Sequence, residues 1–330
     1  MNTTLAQYSL YAAYSAMAVL AMAMLGHLGY LAALMPARSA AREANREAAE
    51  EKALVGVGRG SHGERAAYVP EVEAPAGPVE PSLRARKAAG IAGMLTNLAA
   101  LLLIAATVLR GLSVQRWPLG NMYEFALMGS AFLTTAFCLW AARRDLRWLG
   151  FFIVAPVLLT LGLATTVWYT EAARLMPSLQ SYWLVIHVTI AILSVAIFAI
   201  GAVLAVLYLW QDQVERAGRT SILNRFPGAR TLERMSYSAH VVAFPLWTFT
   251  VIAGAIWARQ DWGSYWNWDP KEVWTFVIWV VYAAYLHARV TSGWRRQSAT
   301  LIALAGFACI IVNYAVVNVH FVGQHSYSGL

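Results

Sequence analysis

Charged residues are scarce in this sequence: Asp, Glu, Lys and Arg together make up 13% of its 330 residues, whereas hydrophobic residues make up 59%. This composition excludes an ordinary soluble domain, which needs a polar and charged surface. The apolar residues gather in runs of about 20, the length that crosses a bilayer as a helix. The sequence therefore predicts an all-α polytopic membrane protein.

Cysteine is nearly absent as well. Cys138 and Cys309 lie singly within apolar runs, and neither a CxxC nor a CxxCH motif occurs. The chain is therefore neither a thiol oxidoreductase nor itself a c-type cytochrome. The first apolar run also lacks a basic leader and a small-residue cleavage site, so we expect it to be retained as a helix and not removed as a signal peptide.

The apolar runs predict about eight transmembrane helices, at residues 8–35, 88–110, 122–142, 148–168, 181–210, 239–259, 273–290 and 298–319. Residues 1–35 then form the first transmembrane helix, and residues 88–330 form a seven-helix membrane core. Residues 36–87 between them are rich in Ala, Arg and Glu and then in Pro and Gly, which is typical of a polar linker.

The basic residues predict the orientation of these spans. If the N-terminus lies outside, the inner loops hold 20 of the 25 Lys and Arg residues and the outer segments hold 5. Because Lys and Arg favour the cytoplasmic side, we expect both termini outside and the 36–87 linker in the cytoplasm. The same distribution accounts for the net charge of +8 without a nucleic-acid partner.

Tryptophan is concentrated in one outer segment, residues 257–279, which holds six of the 14 tryptophans. Its centre reads Trp262-Gly-Ser-Tyr-Trp-Asn-Trp-Asp-Pro-Lys-Glu-Val-Trp274. Asp269, Pro270 and Glu272 fit a helix N-cap, a proline in the first turn and a capping-box glutamate. A capping pair is also predicted for Asn121 and Glu124, at the start of the third span.

The tryptophans divide into two predicted groups. Trp257, Trp279 and Trp294 are predicted to be interfacial anchors, as most tryptophans at a membrane surface are. Four other tryptophans lie within 13 residues, closer together than interfacial anchoring requires. They are predicted to stack on a flat ligand: Trp262, Trp266, Trp268 and Trp274. Gly263 would let the backbone approach that ligand closely.

Histidines suggest what the flat ligand is. The topology puts His187, His320 and His325 on the same side as the tryptophans. Neutral imidazole is the commonest metal ligand among side chains, so two histidines beside an aromatic plate suit haem with two axial ligands. His187 is the candidate for one axial ligand. Either His320 or His325 could be the second, because their spacing does not distinguish them.

The remaining histidines are predicted to differ in role. His287 lies near the inner end of its span and stays a functional candidate, because an ionisable residue inside a membrane span is usually functional. His27 and His240 are predicted to be structural.

These residues together resemble the WWD family of haem-handling membrane proteins, and within it the CcsA/ResC branch of the system II cytochrome c synthesis machinery. The resemblance covers spans 2–8. Besides the tryptophan segment, it rests on four motifs: Pro118-Leu-Gly-Asn-Met-Tyr-Glu124, Met176-Pro-Ser-Leu-Gln-Ser-Tyr-Trp-Leu-Val-Ile-His187, Tyr285-Leu-His287-Ala-Arg289 and Gly323-Gln-His325-Ser-Tyr327.

The resemblance implies a role for each histidine. His187 and His325 match the pair that ligates haem b at the outer surface of the cell membrane, where its vinyl groups react with the CxxCH thiols of an apocytochrome c. His287 matches a ligand of a second haem within the membrane. The haem-contacting set would comprise Trp262, Gly263, Trp266, Trp268, Asp269, Trp274 and His287.

The resemblance also implies partners. A membrane subunit of the CcsB/ResB type would complete a holocytochrome c synthase (haem lyase) complex and supply the ligand opposite His287. Proteins of a thiol-reducing pathway would keep the apocytochrome thiols reduced, and lipid would surround the spans.

Two other functions remain open from the residues. The chain could be a haem transporter or chaperone without attachment activity. It could instead be a di-haem electron-transfer protein. Such a protein needs four haem ligands in one chain, and for the second haem only His240 or His27 could be the ligand opposite His287.

Overall fold

The computed structural model describes residues 2–33, 82–173, 181–218 and 226–325, and the regular structure in these ranges is helical. There are eight long helices: α1 Thr3–Ala33, α2 Leu83–Val114, α3 Met122–Ala141, α4 Gly150–Thr166, α5 Tyr182–Arg216, α6 Ala229–Trp262, α7 Pro270–Val290 and α8 Arg296–Val312. A π-helical turn at Asn313–Val317 and a short helix at Asn318–His320 extend α8.

The predicted all-α polytopic membrane fold is confirmed. Seven of the helices, with the extension of α8 included, are long and apolar enough to cross a bilayer. The eighth, α4, is apolar and has 17 residues, or about 26 Å of helix, close to the thickness of the hydrocarbon core. The location of the termini stays a prediction. The predicted linker lies outside the described residues, apart from its last six, where Ser82 caps α2 and residues 83–87 form its first turns.

Some helices begin well before their apolar runs. The largest difference is in α6, which begins at Ala229, ten residues ahead of the predicted start. Its first turns carry charged side chains, which hydropathy does not recognise as part of a span. Glu233, for example, is buried because it forms an ion pair with Arg289 of α7.

Helices α1 and α2 pack along their length through small side chains. Buried positions recur at alternating intervals of three and four residues, the spacing of a coiled-coil seam. They are Ser9, Ala13, Ala16, Leu20 and Ala23 in α1 and Ala85, Ala89, Ala92, Thr96, Ala99, Leu103 and Ala106 in α2. Alanine at these positions lets the backbones approach closely, and the Ser9 hydroxyl donates to the Ala106 carbonyl at 2.7 Å.

Three large apolar clusters hold the described helices together. One is shared by α1 to α4 and includes Leu20, Leu103, Leu127 and Leu161. A second is shared by α5 to α8, where the rings of Phe198 and Tyr282 stack with centroids 3.8 Å apart. A third takes buried residues from α1 to α6. Contacts between α3 and α5 join the two halves.

The up-and-down order of the helices gives the bundle two distinct ends. At the tryptophan-rich end, α5 and α7 begin and α6 and α8 finish, so residues 257–274 meet the start of α5 and the end of α8. At the arginine-rich end, α5 and α7 finish and α6 and α8 begin, which brings together Arg216, Arg230, Arg289 and Arg296.

Candidate functional site

Helix α7 begins at the tryptophan-rich end with the predicted capping box. The Asp269 carboxylate accepts from the Lys271 backbone N–H at 2.9 Å, and the Glu272 carboxylate accepts from the Asp269 N–H at 3.2 Å. Glu272 also accepts from the Asn267 N–H at 2.8 Å. These bonds fix the end of the tryptophan segment to the first turn of α7.

Asp269 does more than cap a helix, because its carboxylate also holds the chain after α8. One oxygen lies 2.9 Å from Nδ1 of His325, and the other accepts from the Gln324 N–H at 2.6 Å. A Cβ at Gly323 would lie 2.2 Å from the same carboxylate, so this approach requires glycine. Burial opposes ionisation of Asp269, but the hydrogen bonds from His325 and from the Lys271 and Gln324 N–H groups outweigh it and lower its pKa.

The acceptors define the tautomers of two histidines. The ionised Asp269 carboxylate can only accept, so His325 donates from Nδ1 and keeps the Nε2 lone pair. His187 is held in the same way, since its Nδ1 lies 2.9 Å from the Thr250 carbonyl of α6. A Cβ at Gly254 would lie 2.7 Å from the His187 ring, so glycine provides the room. Both imidazoles therefore offer Nε2 to a metal, with the other nitrogen fixed as metal-binding histidines require.

Trp257 joins the two imidazoles. Its ring centroid lies 5.9 Å from that of His187, 5.8 Å from that of His325 and 5.1 Å from that of Trp262. Trp262 also meets His325 edge to face at 4.7 Å. Trp257 is only 2% exposed, so its prediction as an interfacial anchor is wrong. The spacing of three residues puts them on one face of α6: Thr250, Gly254 and Trp257. The sequence did not reveal that this face contacts His187, because the contact depends on how α5 packs against α6.

Two buried donors at this site have no partner among the described residues: the indole N–H groups of Trp183 and Trp257. An unmet buried donor costs about 1–3 kcal/mol, so both point to an acceptor that arrives with a ligand. A bis-imidazole donor set, aromatic faces and two N–H donors suit a flat macrocycle that carries carboxylates. The residues present therefore fit haem.

The other predicted haem contacts lie elsewhere at the same end. Trp268 is 78% exposed and meets Trp266 edge to face at 5.8 Å, and Trp266 packs on Phe276. Trp274 is half-buried. Gly263 ends α6 with a φ of +79°, a conformation that favours glycine. Contact of these four residues with haem stays a prediction.

Of the two alternatives in the last span, His325 is the histidine that the structure brings to Asp269 and Trp257. His320 is exposed at the end of the short helix after α8. His287 lies in the last turn of α7, far from this pair and exposed. It shares the outward face of α7 with Phe276 and Val280, which are 48% and 44% exposed.

His27 and His240 occupy confined positions. Nε2 of His27 lies 3.2 Å from the Thr96 hydroxyl, and Nδ1 of His240 lies 2.7 Å from the Ser236 carbonyl. Both rings press on glycine backbone, at Gly150 and at Gly201. These surroundings suit the structural role predicted for both residues.

Glu124 has a role that its sequence context did not reveal. Asn121 caps α3 as predicted, since its side chain accepts from the Glu124 N–H at 2.9 Å. The fully buried Glu124 carboxylate does not complete a capping box. It pairs with Arg110 of α2 at 3.0 Å and with Arg116 at 2.8 Å, and it accepts from the Gly120 N–H. The predicted box is wrong because partners from another helix compete for the carboxylate.

Comparison with known proteins identifies the family of the chain. The profile of the family described as "Cytochrome C assembly protein" matches residues 117–325. The chain belongs to this family. The match includes His187, Trp257, Asp269 and His325 and leaves out α1 and α2, and it confirms the family resemblance drawn from the motifs.

Individual relatives extend the similarity. The cytochrome c biogenesis protein CcsA of Parasynechococcus marenigrum is 34% identical over 268 residues, which cover 72% of this chain and 86% of the relative. CcsA of Gloeothece citriformis is 32% identical over 301 residues, 76% of this chain and 89% of the relative. CcsA of Chlamydomonas reinhardtii is 35% identical over 247 residues, 73% of this chain and 69% of the relative.

Proposed function

We propose that the chain is the membrane subunit of a cytochrome c synthase complex, which moves haem b to the outer face of the cell membrane and presents it to apocytochrome c. One observation carries the proposal. His187 and His325 each have Nδ1 bound to a fixed acceptor, keep Nε2 for iron, and contact the same buried indole, Trp257.

Each residue of the site has a distinct task. His187 and His325 ligate the iron through Nε2. Asp269 orients His325 and makes its imidazole a stronger ligand, as carboxylates behind metal-binding histidines do. Trp257 and Trp262 pack against the imidazoles, and the indole N–H groups of Trp183 and Trp257 are placed to bind acceptor groups on the haem. Trp266, Trp268 and Trp274 would cover the exposed side of the ligand.

The attachment step depends on placement more than on acid–base catalysis. Haem supplies two vinyl groups, and each CxxCH thiol adds across one of them: sulfur bonds to one carbon, hydrogen to the other, with no net oxidation. A fixed near-attack geometry can supply up to about 7–11 kcal/mol of such a barrier. The CxxCH histidine would then replace one of the two protein ligands. A thiol-reducing pathway must deliver the thiols in reduced form.

His287 belongs to a second haem position shared with another subunit. Its imidazole is on the outward face of α7, among exposed apolar side chains, so a ligand opposite to it must come from outside this chain. A partner of the CcsB/ResB type, packed on that face within the lipid, would provide it. Haem would pass from this position to the His187–His325 pair.

This arrangement favours a synthase subunit over a di-haem electron-transfer protein. The second haem of such a protein would need His27 or His240 opposite His287. Both are buried against glycine backbone within the bundle, whereas His287 faces out of it. A haem transporter without attachment activity would use the same ligands, and the yield of holocytochrome distinguishes it from a synthase.

The test is coexpression of the chain with its candidate partner and a CxxCH apocytochrome, with His187→Ala, His325→Ala and His287→Ala compared with the wild type. We expect low-spin haem in the purified wild-type complex. The His187→Ala and His325→Ala variants should lose it or become high-spin, and should lose holocytochrome formation. His320→Ala is the matched control, because that histidine is exposed five residues before His325.

The outcomes separate the alternatives. Normal holocytochrome yield in both the His187→Ala and His325→Ala variants would overturn the proposed ligand pair. Haem bound by the wild type without any holocytochrome, although thiols and partner are present, would favour a transporter.

A further inference from the structure

A cleft of about 460 Å³ lies at the arginine-rich end of the bundle, where α5 finishes and α6 and α8 begin. Four arginines line it, Arg216, Arg230, Arg295 and Arg296, together with Asp212 and Glu215. It is therefore far from His187 and His325, and the proposed haem chemistry does not use it.

The carboxylates of the cleft already have partners within the protein. Asp212 pairs with Arg216 at 2.9 Å and also accepts from the Gln297 amide. Glu215 accepts from the Ala229 N–H at 2.9 Å and from the Gln211 amide at 2.8 Å. The donors to Glu215 are neutral, so it keeps its charge, but the four arginines of the cleft still outnumber its two carboxylates.

Two guanidinium groups of the cleft form no ion pair within the described residues. Arg296 pairs with the buried Glu233 at 3.3 Å, but Arg230 and Arg295 are exposed and have no carboxylate partner within the described ranges. Helix α8 also begins here, and no side chain caps it, so the N–H groups of its first turn add positive potential. The cleft thus has a surplus of hydrogen-bond donors and of positive charge.

The surface next to the cleft is apolar. Leu301, Ala305 and Ala308 are exposed and follow Gln297 of the cleft at intervals of 4, 8 and 11 residues. This spacing puts them on one face of α8, as a stripe that leads from the cleft into the membrane. A ligand for both surfaces must join an anionic group to hydrocarbon chains.

We propose that this cleft binds the phosphodiester headgroup of an anionic phospholipid. Arg230, Arg295 and the first turn of α8 supply the donors, and the stripe of Leu301, Ala305 and Ala308 lies along the acyl chains. Guanidinium groups bind phosphate oxygens in pairs, and basic pockets between membrane helices are established sites for anionic headgroups. Through Arg296 and Glu233 the site connects to Arg289, two residues from His287.

The test measures thermal unfolding of the full chain in nanodiscs of phosphatidylcholine, alone or mixed with phosphatidylglycerol. Phosphatidylglycerol should raise the unfolding midpoint of the wild type by at least about 2 °C. The Arg230→Gln/Arg295→Gln variant should lose this rise, and Arg230→Lys/Arg295→Lys should keep most of it. Arg143→Gln/Arg144→Gln is the control, because both arginines are exposed at the same end of the bundle outside the cleft.

An equal response to phosphatidylglycerol in the Arg230→Gln/Arg295→Gln variant and the wild type would overturn the proposal. A further arm adds inorganic phosphate to phosphatidylcholine discs. If phosphate alone gives the full rise in the wild type, the cleft takes a free anion and the lipid assignment is wrong. If the glutamine variant does not fold, the Arg230→Lys/Arg295→Lys variant decides the question. A charge-dependent site would be contradicted if phosphatidylglycerol did not raise the unfolding midpoint of that variant above its value in phosphatidylcholine discs.

Discussion

Asp269 and His325 are 56 residues apart in the sequence, yet the carboxylate of one lies 2.9 Å from Nδ1 of the other. The bond joins the start of α7 to the segment after α8 and fixes the tautomer of the histidine. A residue that the sequence explains fully as a helix cap is therefore also the partner of a candidate iron ligand.

Replacing Asp269 by Asn separates these two roles. Asparagine is as good an N-cap as aspartate, so α7 should keep its start, whereas His325 loses a charged acceptor. Loss of such a partner typically costs about 10–100-fold in metal affinity. We expect a decrease of that size in haem affinity, measured by haem titration of the purified chain with its partner.

The pH dependence provides a control for that variant. The folded pKa of Asp269 lies below the ordinary value of 3.8. The contribution of its carboxylate to the stability of the fold is therefore complete above that value and is lost only as the pH falls through the folded pKa. The stability that Asp269 adds relative to Asp269→Asn should thus be present at neutral pH and be lost only as the pH falls below 3.8. A difference that disappears near neutral pH would contradict an ionised Asp269.

Gly323→Ala tests the same contact from the other side. The added Cβ would lie 2.2 Å from the Asp269 carboxylate, so the carboxylate or the chain that carries His325 must move. We expect low-spin haem and holocytochrome yield to fall although no ligand has changed. Gly162→Ala is the control, because its Cβ would meet nothing within 4 Å. Equal haem occupancy in both variants would show that the close approach has no role.

Trp257→Phe keeps an aromatic ring between the imidazoles and removes the indole N–H. Because Trp257 is 2% exposed, the smaller ring leaves a cavity and should lower the unfolding midpoint of the haem-free chain, although removing an N–H without a partner among the described residues offsets part of that cost. Haem affinity should fall about 5–10-fold if the N–H binds an acceptor on the ligand, the equivalent of one hydrogen bond. Trp148→Phe, at a buried tryptophan that is 6% exposed at the other end of the bundle, is the matched control. An unchanged haem titration would remove Trp257 from the ligand-binding set.

Glu124→Gln tests the buried ion cluster of α2 and α3. The substitution leaves Arg110, which is 2% exposed, without a counter-charge, and breaking a buried ion pair in this way costs about 3–5 kcal/mol. We expect a clear decrease in the thermal unfolding midpoint. Asp145→Asn removes an exposed carboxylate from its pair with Arg147 and should cost less than about 1 kcal/mol. Similar midpoints for the two variants would mean that the cluster is not stabilising.

Most of the spans and the helix caps could be predicted from residues that are close together in the chain. Hydropathy identifies a membrane helix because the bilayer requires about 20 consecutive apolar residues with their backbone hydrogen bonds satisfied internally. The capping box at Asp269 and the proline in the first turn of α7 are equally local, since their partners lie within four residues. Topology predicted that His187, His320 and His325 lie at one end of the bundle, and the choice of His325 over His320 came from the family resemblance.

Contacts between side chains of different helices could not be predicted in this way and are known only from the fold. The packed helices bring Trp257 into contact with both imidazoles, bind Asp269 to His325 as well as to α7, and pair Glu124 with Arg110. The fold also shows that α6 begins before its apolar run, in a stretch that includes the buried Glu233 and that a hydropathy window does not recognise. The physical reason is the same in each case: ring contacts and ion pairs between helices depend on the rotation and register of packed helices, which the spacing of residues along one helix does not determine.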